Sequence, residues 1–393
     1  MSPNEPKIIH PERLRLQYLD GLRGLAAFYV VFHHTYLEMM SVNGWLPDRW
    51  AKFFGWAGNG YIAVQIFIVL SGYCLTMPVA RSGSLKGGWL GFIKRRARRI
   101  LPPYYGALAF SLAIACLVPG MNRAQGLRWD RTLPAFTSGP LISHLLLLQD
   151  IKLIWIFKIN SAMWTIAQEW QIYFVFAFLL VPIWRSFGIV TAVVVSFVVS
   201  VALGHLGFEF ASPKFLFLFG VGMFAAVISF PGEANWLSYF RDRLPWGVLT
   251  AIFWVLYLVC MAIKPEQAHS TGLVSVAGAA TLSTLVFCTG SARTRQGNNL
   301  LLRIFEANPV VILGTFSYSL YLIHAPVLAV CTLALHHWQA HGLWAPAIEL
   351  FVGVPMAVAL AYGFHLVAER PFMLGHPESL KRAEKAAILD TAP

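Results

Sequence analysis

Apolar residues recur along the chain in ten long blocks, at about 19–37, 61–79, 102–118, 163–182, 187–206, 213–230, 246–263, 271–289, 310–332 and 346–367. Each approaches the roughly 20 residues that an α-helix needs to cross a bilayer's hydrocarbon core. The short polar connections between them predict an all-α fold, a polytopic membrane helical bundle of about ten transmembrane helices. A further apolar piece, 141–157, is interrupted by Asp150 and Lys152. A spanning helix would hold both charges against lipid, so this piece is expected to be surface-lying or re-entrant. The first seventeen residues are polar and no small-residue cleavage motif follows, so the first span is expected to be a retained anchor. The expected organisation is a cytoplasmic N-terminal segment at 1–18, one transmembrane domain at 19–372 and a cytoplasmic tail at 373–393.

Composition agrees with that pattern. The chain is 57% hydrophobic and 12% charged, with a mean hydropathy of +0.61, whereas soluble domains carry about 25% charged residues. A soluble enzyme, a coiled coil and a disordered chain are all disfavoured. The net charge of +12 is read as membrane topology rather than nucleic-acid binding. With the N-terminus inside, inner segments hold twenty Lys and Arg and outer segments nine, and Arg23 falls within the first span. That asymmetry predicts both termini in the cytoplasm. The densest inner segment, 81–101, contains Arg81, Lys86, Lys94, Arg95, Arg96, Arg98 and Arg99 and no acidic residue, and Pro102 and Pro103 are expected to open the next span. The longest outer connection, 119–162, is rich in Trp, Arg and Asp near Trp129 and is suited to covering a site. Five cysteines without a CxxC read as core hydrophobes. His337 and His341 have an i,i+4 spacing but no acidic or cysteine partner, so no metal is expected.

Ionisable residues within spans are the candidates for chemistry. In the first span, Asp20 and Arg23 can pair at i,i+3. His34 stands eleven residues beyond Arg23, close to three turns, on the same face. An imidazole there can act as a general base, or Asp20 and Arg23 can be an interfacial ion pair and His34 a satisfied core residue. Glu169 lies in the fourth span with Tyr173 one turn away. His324 shares a face with Tyr321 in the ninth, where Pro326 is expected to free a carbonyl; the structural alternatives are a hydrogen-bond network around Glu169 and a His324 packed as a donor on a backbone carbonyl. At ~1.5 Å per residue, His34 lies about 22 Å outward of Leu19, His324 about 21 Å from its inner end and Glu169 about 9 Å from its outer end. All three are expected in the outer half of the bilayer, where they can converge. Arg96 and Arg99, three apart, suit a phosphate-bearing cytoplasmic ligand; anionic lipid is the plainer partner for the same cluster.

Several of these stretches together resemble one family, the membrane acyltransferase 3 family. They are Tyr18-Leu19-Asp20-Gly21-Leu22-Arg23-Gly24-Leu25-Ala26-Ala27 with Val30-Val31 and His34; Gln65-Ile66-Phe67-Ile68-Val69-Leu70-Ser71-Gly72-Tyr73; Phe92 to Tyr104 with Arg96, Arg99 and Pro102; Trp164-Thr165-Ile166 with Glu169; Phe316 to Pro326; and Glu369-Arg370-Pro371-Phe372. The resemblance spans 18–372. It implies a multi-pass protein of the inner or plasma membrane with about ten helices. It implies transfer of acetyl or another short acyl group from acyl-coenzyme A, as a co-substrate rather than a permanently bound cofactor, to a hydroxyl of a carbohydrate or glycolipid. The family histidine corresponds to His34 and its arginine pair to Arg96 and Arg99. The expected site is therefore His34, Glu169 and His324 for catalysis and Arg23, Arg96 and Arg99 for the co-substrate, with membrane lipids as further partners and no nucleic acid. A transporter or flippase for an acylated lipid or sugar is the alternative for the same buried charges, and a catalytically idle subunit of a complex is a third.

Overall fold

The computed structural model of the protein describes residues 16–207, 212–230, 235–294 and 299–373. Most of the expected N-terminal segment 1–18, nearly all of the tail 373–393 and Arg295 lie outside the described residues. All described regular structure is helical. In chain order the helices are α1 (Gln17–Ser41), α2 (Asp48–Phe53), α3 (Tyr61–Ser82), α4 (Gly88–Leu117), α5 (Ser138–Leu145), α6 (Trp164–Val175), α7 (Val181–Phe187), α8 (Ile189–His205) and α9 (Lys214–Ser229). They continue with α10 (Asn235–Arg243), α11 (Trp246–Ile263), α12 (Thr271–Thr294), α13 (Leu300–Phe305), α14 (Asn308–Thr315), α15 (Ser317–His337), α16 (Trp344–Ile348) and α17 (Val354–Phe364). A π turn, Phe176–Leu180, joins α6 to α7, and another, Glu349–Gly353, joins α16 to α17.

Each of the ten apolar blocks falls on a helix. The fold is an all-α polytopic bundle in which seven helices are long and apolar enough to cross a membrane: α3, α4, the continuous α6–α7 rod, α11, α12, α15 and the rod from Trp344 to Phe372. The remaining three blocks fall on α1, which interrupts its apolar run with Asp20, Arg23, His33, His34 and Glu38, and on the shorter apolar α8 and α9. α15 is at the centre and buried on all sides. α8 and α11 expose valine, leucine, isoleucine and phenylalanine along most of their length, as helices facing hydrocarbon do.

Close approach of backbones sets the contacts on α1 and α3. A Cβ on Gly21 would collide with the carbonyl of Phe305, and one on Gly314 with the carbonyl of Asp20, so α1 lies directly on α13 and α14. Gly72 on α3 and Gly222 on α9 face one another's helices in the same way, against the carbonyls of Phe219 and Val69. Small residues at such crossings allow van der Waals packing without a hydrophobic driving force. Polar bonds reinforce it: Thr289 Oγ1 on α12 lies 2.6 Å from both Tyr18 OH and Tyr73 OH, tying α1, α3 and α12 together. Glu369 accepts from Ser319 Oγ at 2.6 Å and from His365 Nδ1 at 2.8 Å, joining the last turn of the chain's final rod to α15.

Two expectations about boundaries are corrected. Pro102 and Pro103 do not open a span; they lie inside α4, which begins at Gly88 and carries the basic cluster on its first half. The helix tolerates them because the carbonyls they leave open belong to Arg98 and Arg99, which are exposed residues where water can satisfy the freed groups. The ninth block divides at Phe316, whose backbone leaves the helical region between α14 and α15.

The segment 141–157 contains no crossing helix. α5 ends at Leu145, and turns carry the chain back into the bundle, where Ile159, Asn160, Ala162 and Met163 are at most 1% exposed. Pro326 has no N–H to give the carbonyl of Leu322, and Asn160 Nδ2 takes that carbonyl at 2.8 Å. Asp150 is fully buried and accepts from Gln171 Nε2 at 2.8 Å, while Lys152 turns outward over the Trp155 ring.

Two outcomes are expected. Gly72→Ala and Gly222→Ala lower the detergent melting temperature by an amount corresponding to about 1–3 kcal/mol of overpacking, whereas Gly272→Ala, with open space around it, leaves it unchanged. Burial raises the Asp150 carboxyl from its ordinary range to about 6. The folded chain thus holds that proton more tightly than the unfolded chain, and the group's contribution to stability falls as pH rises from about 4 through about 6. Asp150→Asn raises the melting temperature at about pH 8, and the gain shrinks toward zero near pH 4.

Candidate active site

Two chambers lie end to end within the bundle. The first is lined by Arg23 from α1, Ser71 and Cys74 from α3, Arg96 and Arg99 from α4, Glu169 and Tyr173 from α6, and Tyr318 and Tyr321 from α15. Arg23 is held by Asp20 at 3.4 Å and donates to Cys74 Sγ at 3.1 Å. Glu169 Oε1 accepts from Ser71 Oγ at 2.8 Å and from Tyr173 OH at 2.5 Å. Among the lining residues, three guanidinium groups face one carboxylate, and the buried Arg96 Nε has no hydrogen-bond partner. The chamber's excess positive charge and that open donor fit an oxyanion such as phosphate. Its volume, about 130 Å³, takes the end of a thioester arm but not a nucleotide.

The second chamber, about 530 Å³, is within the range of ligand pockets. His33, His34, Trp164, Arg128 and Arg131 are among the residues lining it. His33 Nδ1 lies 2.9 Å from the carbonyl of Ala57 and 3.0 Å from the N–H of Gly60, so it is tied to the loop before α3. His34 makes no such bond among the described contacts; its ring packs edge-on against His324 with centroids 4.8 Å apart. The His324 Nδ1 is 3.0 Å from the carbonyl of Leu320. A carbonyl accepts, so that nitrogen carries the proton and Nε2, buried and unpartnered, is left as the basic atom.

The chambers share Val64 and Tyr321 as lining. The Tyr321 hydroxyl is 2.7 Å from Thr165 Oγ1, and its ring lies 6.0 Å from that of His324. Val64 and Tyr321 are thus the wall that the two chambers have in common.

The six sequence candidates divide between the two ends. Arg23, Arg96, Arg99 and Glu169 share the first chamber; His34 and His324 meet at the second. The convergence of Glu169 with the histidines is corrected. That expectation measured depth from Met163 as though it lay at the membrane surface. The bond from Asn160 to Leu322 draws the chain inward before α6 begins, so Thr165 is already level with Tyr321 and Glu169 lies one further turn along. Sequence reasoning did not single out Ser71, Thr165, Arg128 or Arg131. The Ser71-Gly72 step and the Arg-rich run around Trp129 were the available signals.

A membrane bundle with buried, ionisable groups gathered in two abutting chambers is the class of protein that the structure defines. The chain matches the family model Acyl_transf_3, described as an acyltransferase domain, over residues 16–366, and it belongs to that family. It is 21% identical over 339 residues to O-acetyltransferase OatA of Staphylococcus aureus (strain NCTC 8325 / PS 47), covering 79% of this chain and 50% of that protein. It is 26% identical over 348 residues to the putative peptidoglycan O-acetyltransferase YrhL of Bacillus subtilis (strain 168), covering 80% and 49%. To peptidoglycan O-acetyltransferase OatA of Listeria monocytogenes serovar 1/2a (strain ATCC BAA-679 / EGD-e) it is 25% identical over 362 residues, covering 84% and 52%. The chain thus spans about half the length of these curated relatives. No solved structure matches it. Membership in the family supports acyltransferase activity.

The wall between the chambers makes a direct prediction. Thr165→Val leaves the buried Tyr321 hydroxyl without its partner and costs about 1–3 kcal/mol of stability, whereas adding Tyr321→Phe, which removes both partners, recovers most of that loss. A double-mutant cycle by thermal unfolding in detergent measures it.

Proposed function

We propose that the protein is a membrane O-acyltransferase that moves an acetyl or other short acyl group from acyl-coenzyme A on the cytoplasmic side to a hydroxyl of a carbohydrate or glycolipid on the other side. In this reading the three helices that carry the remaining apolar blocks cross the membrane with the other seven, giving ten spans. Both termini are cytoplasmic, residues 1–18 and 373–393 flank one domain at 19–372, and the membrane is the cell's inner or plasma membrane. The arginine chamber is then the inner one and the histidine chamber the outer.

The observation that carries the proposal is the wall common to both chambers, since it brings an anion-binding end and a basic end within reach of one reacting carbonyl. Along α1, Arg23 and His34 are separated by about 16 Å, which an extended acyl-pantetheine arm can bridge. Arg96 and Arg99, with Arg23, hold phosphate oxygens of the co-substrate at the inner mouth. The thioester carbonyl reaches the wall near Tyr321. The acceptor hydroxyl, in the outer chamber, attacks that carbon; its O–C bond forms as the C–S bond breaks. His34 takes the hydroxyl proton, and the leaving thiolate recovers a proton to depart as free coenzyme A. His324 backs His34 with its basic Nε2. Glu169, held by Ser71 and Tyr173, works at the inner end, where it aligns Arg23 and Arg96 rather than the base.

Proteoliposomes with labelled acetyl-coenzyme A outside the cytoplasmic face test this. Thioester consumption coupled to acceptor labelling is expected, falling at least 100-fold in His34→Ala with the KM for acetyl-coenzyme A unchanged. Arg96→Ala is expected to raise that KM about tenfold or more, as loss of a charge-assisted contact does. Normal turnover by His34→Ala removes the base from the scheme. Movement of an acylated lipid or sugar without thioester consumption would instead support the transporter.

A further inference from the structure

The connection from α4 to α5 contains a single 3₁₀ turn, Arg128–Thr132, packed against α1 and α15, the helices that bear His34 and His324. Three of its five residues build it. Trp129 is buried and its Nε1 donates to the carbonyl of Met121 at 2.8 Å. Asp130 accepts from the N–H groups of Gln125 and Gly126 at 2.8–3.1 Å. Thr132 Oγ1 donates to the Trp129 carbonyl at 2.7 Å, and its own carbonyl accepts from Ile159 N–H at 2.9 Å. The side chains of the other two, Arg128 and Arg131, form no hydrogen bond, ion pair or ring contact among the described residues, yet both residues line the histidine chamber. In a 3₁₀ helix residues i and i+3 eclipse, so the two side chains leave the turn on one face, the face that lines the chamber. Arg128 is half-buried. Arg131 is exposed. The Glu38 carboxyl on α1 acts on Arg128 through space but forms no ion pair with it and does not line the chamber, where no described residue is acidic, so a direct partner for the half-withdrawn charge is still wanting. The chamber also contains the indole of Trp164 and the ring of Phe157, flat apolar surfaces on which a sugar ring can lie.

We infer that Arg128 and Arg131 form an anion clamp for the acceptor, and that the acceptor is an acidic saccharide bearing a carboxylate or phosphate. This rests on the reading of the histidine chamber as the acceptor's side. Trp129, Asp130 and Thr132 fix the turn, and the two arginines seize the anionic group and hold the hydroxyl to be acylated over His34.

The test uses two tetrasaccharides of one backbone: alternating N-acetylglucosamine and N-acetylmuramic acid, and the neutral N-acetylglucosamine tetramer. Calorimetric titration of the full chain in a neutral detergent is expected to give at least about tenfold tighter binding of the acidic one, the factor of one charge-assisted bond. Arg128→Gln and Arg131→Gln each remove that preference, Arg128→Lys retains part of it, and Arg123→Gln, a charge loss outside the chamber, leaves it intact. Equal binding of the two sugars, binding of neither, or a preference that survives both Gln substitutions overturns the clamp. So does a preference that is present in phosphatidylcholine nanodiscs but abolished by phosphatidylglycerol, which assigns the arginines to lipid headgroups. Acyl transfer separates the two levels. Equal acylation of both sugars leaves the transferase and removes the clamp. Preferential binding of the acidic sugar with no release of coenzyme A leaves the clamp and removes the transferase.

Discussion

Asn160 gives a hydrogen of its amide to the carbonyl that Pro326 leaves open on α15, and the depth of much else in the bundle follows from that bond. Inside hydrocarbon a freed carbonyl must find a donor or cost several kcal/mol. Here the donor comes from a non-helical segment, and such a segment survives at that depth only when protein surrounds it. The residues around Asn160 are accordingly among the most buried in the chain. With the segment pinned, α6 starts in the interior, Thr165 meets Tyr321, and Glu169 is carried to the arginine end. One missing helical bond in α15 thereby decides which chemistry shares a chamber with which.

The basic residues sort by the same accounting of partners. Arg95 donates to the carbonyl of Lys86, Arg293 to that of Ser229, Arg241 pairs with Asp242, and Arg81 lies over the ring of Phe230. These have structural work. Arg96 at one chamber has a buried Nε without a partner, and the side chains of Arg128 and Arg131 at the other make no hydrogen bond or ion pair among the described residues. Net charge alone gives no such division, because topology puts arginine on the cytoplasmic side whether or not a ligand waits there. What separates the two groups is a place on a chamber lining without a direct hydrogen bond or ion pair, a property of the fold.

Legibility in the sequence followed the same line. Helices were readable because a bilayer imposes a length: the ten apolar blocks fall on helical structure, and seven of the helices are long and apolar enough to cross. Gly21, Gly24 and Gly72 were visible as parts of motifs, but their reason, backbone against backbone at α13, α14 and α9, needs the neighbour. Arg23 with Asp20 was readable because i,i+3 is local. Arg23 with Arg96 and Glu169 was not derivable from spacing, since three helices meet there. Depth was misjudged at Glu169 because counting residues assumes that every span starts at the surface. The carbonyl freed by Pro326 was expected, whereas its partner 166 positions earlier in the chain was not. Arg128 and Arg131 were hidden by their type: arginine in an outer loop is ordinary until the turn that holds it is seen to spend Trp129, Asp130 and Thr132 on its own rigidity.

The wall at Tyr321 bears on how a thioester could survive in such a protein. An aqueous passage from arginines to histidines would expose the activated carbonyl to water all along its path, and hydrolysis would compete with transfer. The Val64 side chain contributes no polar atom to the wall, and the Tyr321 hydroxyl, which keeps accepting capacity beside its bond to Thr165, is the one side-chain polar atom the two residues offer, short of the two or more partners that hold a water in place. In the proposed reading, the acyl carbon and the hydroxyl meet only where Tyr321 or Val64 gives way between the chambers, which confines the reacting atoms to the one place that both chambers border. His324 is fixed beside that boundary, its Nδ1 on the Leu320 carbonyl and its ring against His34, so the two imidazoles keep their places on the outer side whichever of the wall's side chains moves.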